Sequence, residues 1–398
     1  MNSERAPMRI LYDAQMFTWQ NYGGATRYFY ELMSRFCNDP ELHISLSILL
    51  SDNYYIRNCS FAKHWRGAQK LSFKGKMRAY RLINQVYNRH AIPNIQFDLL
   101  HPTCYNPYFL KRLKGRPYVI TVFDLIHELF PDTLAPNQKT MRKWKQTSIL
   151  KADLLIAISE STKRDLIKFY GLQPSRIHVV PLAASLSPNS SANAGAMRLP
   201  SRYVLYVGAR AAGYKNFETL AQAFHLAGNK DKGLSLVCAG GGPFSSSEIR
   251  LFARLGISDK VRQMSMSDGE LSTLYSRARA LVYPSLYEGF GIPLLEAFAC
   301  GCPVAASNSS SLPEVGGDAC LYFDPGNAGE MAEKIGALVE DGKLRDSLVE
   351  KGHLQASKFS WDSTALMTKQ IYSTLITGNA QMGPASGTKA FPVAGAAT

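Results

Sequence analysis

Short apolar runs alternate with helical patterns along the chain, and this alternation limits what the chain can fold into. Six runs occupy the first half: MRILYDA (8–14), HISLSILL (43–50), FDLLHP (97–102), PYVITVFDL (117–125), ADLLIAIS (152–159) and IHVVPLA (177–183). Six more follow: YVLYVGA (203–209), LSLVCAG (234–240), VRQMS (261–265), ARALVYPS (278–285), CPVAAS (302–307) and ACLYFDP (319–325). Nearly continuous apolar strands separated by helices predict parallel sheets covered on both faces, so the chain is expected to be an α/β protein.

The domain organisation follows from length and from one change of composition. At 398 residues the chain is too long for one ordinary core. The segment SLSPNSSANAGAMRLPS (185–201) is rich in Ser, Asn, Ala and Pro and is typical of a linker. We predict Rossmann-like domains over 1–190 and 191–358, a helix at 359–377 that packs back on the N-terminal domain, and a disordered tail at 378–398 without assigned function. Open parallel sheets bind ligands beyond the carboxyl ends of their strands, so a cleft between the two domains is expected to hold the site.

Composition indicates a cytosolic protein with reduced thiols. No run of eighteen apolar residues occurs, and Asp13 comes too early for a secretory signal. The seven cysteines are scattered, and Cys300-Gly-Cys302 lacks the second pair or the histidines of a zinc site. We expect free thiols that are mostly buried and no metal or other cofactor.

Positive charge is concentrated in one segment. The net charge is +14, and no acidic residue lies between Asp52 and Asp98. Within this gap, KGKMRAYRLINQVYNRH (74–90) is predicted to form a helix whose apolar face is Met77, Tyr80, Ile83 and Tyr87, with basic residues around it. Two interpretations remain open: segment 54–91 rests on an anionic membrane, or the helix packs on its own domain. No nucleic-acid-binding motif accompanies the charge, so nucleic acid is not an expected partner.

The stretch YEGFGIPLLEA places two carboxylates around the start of a helix. Glu288 lies in a loop that turns on Gly289 and Gly291, and Glu296 lies about one turn into the helix that follows. A helix N-terminus at the carboxyl end of a strand suits a phosphate-bearing ligand, and an acidic side chain there can accept hydrogen bonds from a ribose diol. The competing interpretation is a surface glutamate and a glutamate favoured by the helix dipole.

Two cations follow the strand YVLYVGA. Arg210 and Lys215 lie in the loop VGARAAGYKN, which approaches a P-loop but has a tyrosine before the lysine and no magnesium-binding hydroxyl after it. The pair could stabilise a diphosphate leaving group, or the two side chains could be solvated surface charges.

Two further candidates lie in the N-terminal domain. Gly23 and Gly24 follow the first strand and allow close approach of backbone to a ligand. Asp124 and His127 follow the strand PYVITV, and His127 could hydrogen-bond a sugar or transfer protons near neutral pH. No GxGxxG sequence occurs, which disfavours an NAD-dependent oxidoreductase.

Together these motifs resemble the GT-B glycosyltransferases of family 4. The resemblance is strongest over SLYEGFGIPLLEAFACGCPVAASNSSSLPEVGGDACLYFDPGN (285–327), which matches the E-x7-E signature and the elements after it. It implies two Rossmann-like domains facing each other across a cleft, a nucleotide-sugar donor held mainly by the C-terminal domain (191–358) and an acceptor that approaches from the N-terminal domain (1–190). The implied donor-binding residues are Arg210, Lys215, Glu296, Gly289, Phe290, Gly291, Ser311, Leu312, Gly23 and Gly24, with Glu288, Asp124 and His127 as the catalytic set.

One position departs from the family pattern. Many relatives have His-Asp where this chain has Phe123-Asp124, so His127 is the candidate replacement for that histidine.

The implied reaction is metal-independent transfer with retention of configuration, most simply of mannose from GDP-mannose to a lipid-linked saccharide in bacterial polysaccharide biosynthesis. The implied location is the cytoplasm or the inner face of the plasma membrane. UDP-glucose or another UDP-hexose is the alternative donor, and an NAD-dependent oxidoreductase or a non-catalytic nucleotide-binding protein is the alternative of another class.

Overall fold

A computed structural model describes residues 6–57, 59, 61–62, 73–131, 138–186, 198–228, 233–265 and 267–378. The predicted domain boundary at residue 190, most of the predicted linker, part of the basic segment 54–91 and nearly all of the predicted tail lie outside these residues. The described residues form two compact units. Unit 1 takes those within 1–129, 134–181 and 361–398, and unit 2 takes those within 130–133 and 182–360.

Unit 1 is a parallel α/β unit. Its strands are β1 Met8–Asp13, β2 Leu42–Ser47, β3 Leu99–His101, β4 Val119–Val122, β5 Leu154–Ala157 and β6 Ile177–Val179. Its helices are α1 Gln15–Trp19, α2 Gly24–Phe36, α3 Lys76–Ala91, α4 Ile126–Leu129, α5 Gln138–Lys151, α6 Glu160–Tyr170 and, last in the chain, α14 Trp361–Thr377, with 3₁₀ turns at Pro107–Arg112 and Pro174–Arg176.

The strands of unit 1 form two parallel sheets, β2-β1-β3 and β4-β5-β6. A single bridge between Leu100 and Tyr118 connects β3 to the start of β4. The combined order is therefore 2-1-3-4-5-6, and the direction in which strands are added reverses between β1 and β3. In open α/β sheets, such a topological switch point leaves a crevice at the carboxyl ends of the strands.

Unit 2 contains one six-stranded parallel sheet. Its strands are β7 Tyr203–Val207, β8 Ser235–Ala239, β9 Val261–Met264, β10 Ala280–Tyr283, β11 Val304–Ser307 and β12 Cys320–Phe323. Its helices are α7 Phe217–Gly228, α8 Ser246–Leu255, α9 Asp268–Arg277, α10 Ile292–Ala299, α11 Leu312–Gly316, α12 Ala328–Glu340 and α13 Gly342–Ala356, with 3₁₀ turns at Gly213–Lys215 and Gly317–Ala319. The order is β12-β11-β10-β7-β8-β9, the doubly wound arrangement with its switch point between β7 and β10.

The predicted fold class is confirmed, because all strand pairings within the described residues are parallel and each of the twelve apolar runs overlaps one strand. The reason is burial on both faces: every residue of β4 and β10 is buried. Helix α2 is amphipathic, and its buried face includes Tyr28, Leu32 and Phe36.

The predicted apolar face of α3 is only partly confirmed. The helix buries Tyr80, Asn84 and Asn88, whereas Ile83 is 39% exposed. The polar Asn84 can be buried because its amide makes four hydrogen bonds: it accepts from the N–H groups of residues 49 and 50 and donates to the carbonyls of residues 50 and 80. Local apolar spacing therefore misassigned part of the helix face, because a satisfied amide can occupy a core position.

A buried polar network fastens α14 to the sheets of unit 1. The ring of His101 in β3 hydrogen-bonds the Tyr372 hydroxyl at 2.6 Å and the Thr121 hydroxyl at 2.9 Å. Tyr372 also hydrogen-bonds the Tyr12 hydroxyl at 2.6 Å. Burial lowers the pKa of His101 to about 3, so the imidazole is neutral at physiological pH.

The seven cysteines are free thiols, and five of them are buried: Cys104, Cys238, Cys300, Cys302 and Cys320. Among the described residues, no helix combines the length and apolarity needed to span a bilayer.

Candidate active site

Lys215 and Glu288 meet at the switch point of unit 2. Lys215 ends the 3₁₀ turn in the loop after β7, and Glu288 lies in the loop after β10, the neighbouring strand. The ammonium Nζ lies 2.6 Å from Glu288 Oε1, and the two side chains are only 14% and 11% exposed. The sheet topology thus brings together a cation and a carboxylate that are 73 residues apart in sequence.

The Glu288 loop is held in place by three serines. Ser285 donates its hydroxyl to Glu288 Oε1 at 2.6 Å, and the Glu288 backbone N–H donates to the Ser310 hydroxyl at 2.8 Å. Ser311 donates to the carbonyls of Glu288 and Phe290, both at 2.9 Å. The carboxylate therefore has a fixed position before any ligand binds, which is what preorganised electrostatic stabilisation requires.

Helix α10 begins directly behind this loop. Gly291 precedes its first residue with φ of +104°, and a Cβ there would lie 2.6 Å from a methyl group of Leu312. Pro293 occupies the first turn, where a missing N–H is tolerated. Phe290, Ser311 and Leu312 are buried and support this helix start. The helix dipole makes this N-terminus a positive end suited to phosphate.

Glu296 lies on the buried side of α10. It is 7% exposed and accepts a hydrogen bond from the Tyr275 hydroxyl at 3.0 Å. Burial, with the neighbouring Glu296 carboxylate as a second cause, raises the pKa of Tyr275. Tyr275 therefore remains a hydroxyl donor that orients the carboxylate predicted to hold the ribose.

Arg210 is engaged differently from the sequence prediction. Its guanidinium donates to Glu248 Oε1 at 2.7 Å and to the carbonyls of Gly240 and Gly242 at 2.6 and 2.7 Å. Its side chain is 1% exposed and also lies over the Phe244 ring. The structure brings Lys215, and not Arg210, to Glu288; contact of Arg210 with a diphosphate stays a prediction.

The glycine loop to which Arg210 donates hydrogen bonds was not predicted from the sequence. Gly240, Gly241 and Gly242 all have φ in the left-handed region, between +70° and +87°. A Cβ at Gly241 would lie 2.7 Å from Arg210 Nη1. The signal was three consecutive glycines after an apolar run, which indicates close packing of backbone at the carboxyl edge of a strand.

In unit 1, Asp124 follows β4 and His127 lies in α4, and the buried Lys145 is close to both. Lys145 of α5 is 0% exposed, and its ammonium lies 3.0 Å from Glu128 Oε2 and 3.5 Å from Asp124 Oδ1. Burial, followed by the positive charge of Lys145, lowers the pKa of His127. Among the described residues His127 Nδ1 has no hydrogen-bond partner. His127 is therefore neutral at pH 7 and can accept or donate a hydrogen bond. No pattern in the sequence singles out Lys145, because its partners lie on other parts of the chain.

Gly23 and Gly24 lie at the start of α2. Gly23 precedes the helix in an extended conformation, and Gly24 is the first helical residue. Arg27, in the first turn, is 8% exposed and donates to the hydroxyls of Tyr22 and Tyr55 at 2.5 and 2.9 Å. The structure places a buried guanidinium next to the two glycines, and the sequence analysis did not single it out.

Comparisons with known proteins agree for both units. The family model described as glycosyl transferases group 1 matches residues 193–355, and the model described as glycosyltransferase family 4 matches residues 22–187. The O-antigen chain mannosyltransferase B of Escherichia coli is 29% identical over 75% of this chain and 80% of that protein. The D-inositol 3-phosphate glycosyltransferase of Corynebacterium jeikeium is 30% identical over 71% of this chain and 73% of that protein.

Solved structures resemble this chain along most of its length. The sucrose-phosphate synthase of Thermosynechococcus elongatus gives a TM-score of 0.71 at 21% identity and covers 94% of this chain and 100% of its own. The Anabaena HepE protein in complex with UDP and glucose gives 0.69 at 18% identity and covers 92% of this chain and 100% of its own. At these identities the likeness shows a common fold.

Proposed function

This chain belongs to the group 1 glycosyltransferases of family 4, and we propose from that premise that it transfers a hexose, with retention of configuration, from a nucleotide sugar to a saccharide. It is therefore an enzyme, and the alternatives of an NAD-dependent oxidoreductase and of a non-catalytic binder are set aside. The observation that carries the proposal is the Lys215–Glu288 pair at the switch point of unit 2, beside the N-terminus of α10.

In the proposed reaction, the bond between the anomeric carbon and the diphosphate oxygen breaks, and the electron pair leaves with the diphosphate. The acceptor hydroxyl enters on the same face, and its proton passes to the departing phosphate oxygen. Lys215 and the positive end of the α10 dipole stabilise the negative charge as it develops. Glu288 holds hydroxyls of the donor sugar and Glu296 holds the ribose, whereas the catalytic roles of Asp124 and His127 stay predictions.

We propose GDP-mannose as the donor and bacterial polysaccharide biosynthesis as the role. The support is a pair of relatives, the mannosyltransferase of E. coli and the MMP α-(1→4)-mannosyltransferase of Mycolicibacterium hassiacum, the latter 31% identical over 54% of its own length. UDP-glucose is the second candidate, because HepE, with the same fold, was solved with that compound.

The experiment is a thermal-shift screen of GDP-mannose, UDP-glucose, UDP-galactose and NAD, followed by measurement of nucleotide release from each compound that stabilises the protein. GDP-mannose is expected to raise the melting temperature most and to be hydrolysed slowly without an acceptor. A larger shift with UDP-glucose replaces the donor but keeps the reaction class. Stabilisation by NAD alone would contradict the proposal.

In the proposed reaction, protein groups alone stabilise the negative charge of the leaving group, so no metal ion takes part. No DxD sequence is present in the chain. Transfer is expected to continue at an unchanged rate with excess EDTA. Loss of activity with EDTA and recovery with Mg²⁺ or Mn²⁺ would contradict this part of the proposal.

We propose further that α3 brings the enzyme to the inner face of the plasma membrane, where a lipid-linked acceptor is available. The support is the exposure of Leu82, Ile83 and Val86 on a helix that also carries exposed Arg78 and Arg89. Each cation near an anionic surface contributes about 1 kcal/mol. Liposome sedimentation tests this: binding should require anionic lipid, and equal binding to neutral vesicles would count against it.

A further inference from the structure

Asn216 directly follows Lys215, and its side chain joins three loops of unit 2. The side-chain nitrogen donates to the carbonyl of Pro284, in the loop after β10, at 3.1 Å and to the carbonyl of Pro325, in the loop after β12, at 2.8 Å. The side-chain oxygen accepts from the Thr219 hydroxyl at 2.6 Å. The amide therefore has one orientation, because its two N–H groups face carbonyls and its oxygen faces a hydroxyl donor.

The backbone of Asn216 is left-handed, with φ of +56°. Asparagine adopts this conformation more readily than most residues that carry a side chain. The conformation ends the 3₁₀ turn Gly213–Lys215 and leads the chain into α7. Asparagine thus supplies both the backbone conformation and the two N–H donors, whereas glycine would supply only the backbone conformation.

A backbone hydrogen bond joins the same two loops on the other side of Lys215. The Leu286 N–H donates to the Tyr214 carbonyl at 2.8 Å. The residues before and after Lys215 are thus both bonded to the loop after β10, at positions 286 and 284. Between these positions lies Ser285, whose hydroxyl donates to the Glu288 oxygen that the Lys215 ammonium also contacts. The loop of the cation and the loop of the carboxylate are therefore fixed to each other at two points.

The Lys215 side chain needs such a fixed backbone. A lysine side chain is a long flexible stem, so the ammonium has a defined position only when the backbone and the partners are held. Here the ammonium lies 2.6 Å from Glu288 Oε1 and 3.4 Å from the Tyr283 hydroxyl. A misplacement of about 1 Å at a reacting centre can reduce a rate about 10²-fold. Groups that hold the backbone of Lys215 are therefore able to control its effect on a transition state.

We infer that Asn216 is a positioning residue of the Lys215–Glu288 site. Through the carbonyls of Pro284 and Pro325 it holds Lys215 against the loop that carries the carboxylate, and it affects transfer only through Lys215. The inference rests on the proposed function for its effect on transfer, whereas the positioning of the pair rests on the hydrogen bonds alone. The competing explanation is that Asn216 only stabilises the start of α7.

The first test compares rates of nucleotide release from GDP-mannose, or from UDP-glucose if the thermal-shift screen selects it. Asn216→Gly keeps the left-handed backbone and removes the three side-chain bonds. It should lower kcat about tenfold to a hundredfold and change the KM for the donor less than about threefold, because the ammonium acts on the departing charge. In the Lys215→Met background the same substitution should lower kcat less than about twofold, because no ammonium is left to misplace. A residue that only stabilised the fold would lower the rate in both backgrounds by the same factor.

The second test needs no substrate. Unfolding equilibrium constants are measured by urea denaturation for the wild type, Lys215→Met, Glu288→Gln and their double variant, and again with Asn216→Gly added to each. Each set of constants gives the coupling between Lys215 and Glu288, which should be at least about a hundredfold in the presence of Asn216. The coupling should fall at least about tenfold when Asn216→Gly is added, because the ammonium is then no longer held at the carboxylate.

Three further variants complete the design. Thr219→Val removes the bond at α7 but leaves the two bonds to the loop carbonyls, so kcat and coupling should stay within about threefold of wild type. Asp341→Ala removes the cap of α13, a bond to the Leu344 N–H at 3.0 Å, and should lower stability without changing kcat or coupling. Asn216→Asp keeps the bond from Thr219 but cannot donate to the carbonyls, and it replaces Asn216→Gly if that variant does not fold.

Three results would overturn the inference: an equal loss of kcat from Asn216→Gly in both backgrounds, an unchanged coupling between Lys215 and Glu288, or Thr219→Val with the same effects as Asn216→Gly. If the wild type releases nucleotide from none of the compounds in the screen, the proposed function is refuted. The coupling alone then decides whether Asn216 positions the pair.

Discussion

Replacing Lys215 with methionine separates its role in transfer from its role in the fold. The Lys215 ammonium is 2.6 Å from the Glu288 carboxylate, and both side chains are nearly buried. Lys215→Met keeps most of the aliphatic chain but leaves the carboxylate with neutral side-chain donors, the hydroxyls of Ser285 and Tyr283. Removing one partner of a buried ion pair costs about 3–5 kcal/mol. We expect a loss near the lower limit, because the pair keeps slight contact with solvent.

The effect on transfer has another origin and another size. If Lys215 stabilises the departing diphosphate, its loss removes one preorganised cation from the transition state. Loss of one such group reduces kcat by about 10² to 10³. Glu288→Gln should also reduce transfer, since the amide cannot hold sugar hydroxyls as a carboxylate does.

The double variant Lys215→Met/Glu288→Gln decides between the two roles. It contains neither charge, so its free energy of unfolding should return to within about 1 kcal/mol of wild type. Its rate of transfer should stay as low as that of the worse single variant. Urea denaturation gives the first quantity, and nucleotide release with a donor that the wild type uses gives the second.

A matched control lies in the same unit. Arg254 and Glu218 form an exposed pair at 3.5 Å, and each side chain is 68% exposed. Arg254→Met/Glu218→Gln should change neither stability nor transfer by more than about 1 kcal/mol. Recovery of transfer together with stability in the Lys215/Glu288 double variant would refute the catalytic reasoning, as would Lys215→Met with more than a tenth of wild-type activity.

Three more predictions concern single residues. Glu296→Ala should raise the KM for the donor about tenfold to a hundredfold with a smaller change in kcat, because two hydrogen bonds to the ribose are lost. A change in the KM for the acceptor alone, with the KM for the donor unchanged, would contradict the ribose assignment. His101 has a folded-state pKa of about 3, below its usual 6.5, so the stability it contributes is complete above pH 6.5 and is lost as the pH falls toward 3. Between pH 7 and 4.5 the free energy of unfolding of the wild type should fall by about 2.5 kcal/mol more than that of His101→Gln, as measured by urea denaturation at each pH. The same dependence on pH in both proteins would contradict this prediction. Gly291→Ala should destabilise unit 2 by about 1–3 kcal/mol, since φ is +104° and the new Cβ meets Leu312. The control Gly336→Ala, in a helix with open space around it, should be neutral or stabilising. Equal melting temperatures of the two variants would contradict the argument from backbone strain.

The parallel α/β fold was predictable because each strand is encoded by adjacent residues. All twelve apolar runs overlap a strand, since a strand buried on both faces needs a continuous apolar run. The helix start at Gly291 and Pro293 was equally local, and it was found from two residue types at fixed positions. Part of the face of α3 was misassigned because the hydrogen bonds that satisfy Asn84 come from residues 49 and 50, on a different part of the chain.

The sequence by itself determined which segments become strands, where their loops carry charge, and to which family the chain is similar. Only the tertiary structure decided the order of the strands, and with it which loops meet. Lys215 reaches Glu288 because β7 and β10 are neighbours, Arg210 donates instead to the loop after β8, and the buried side-chain amide of Asn88 has no partner among the described residues. The physical reason is that backbone preference is local, whereas the partner of a buried polar group depends on elements that are distant in sequence.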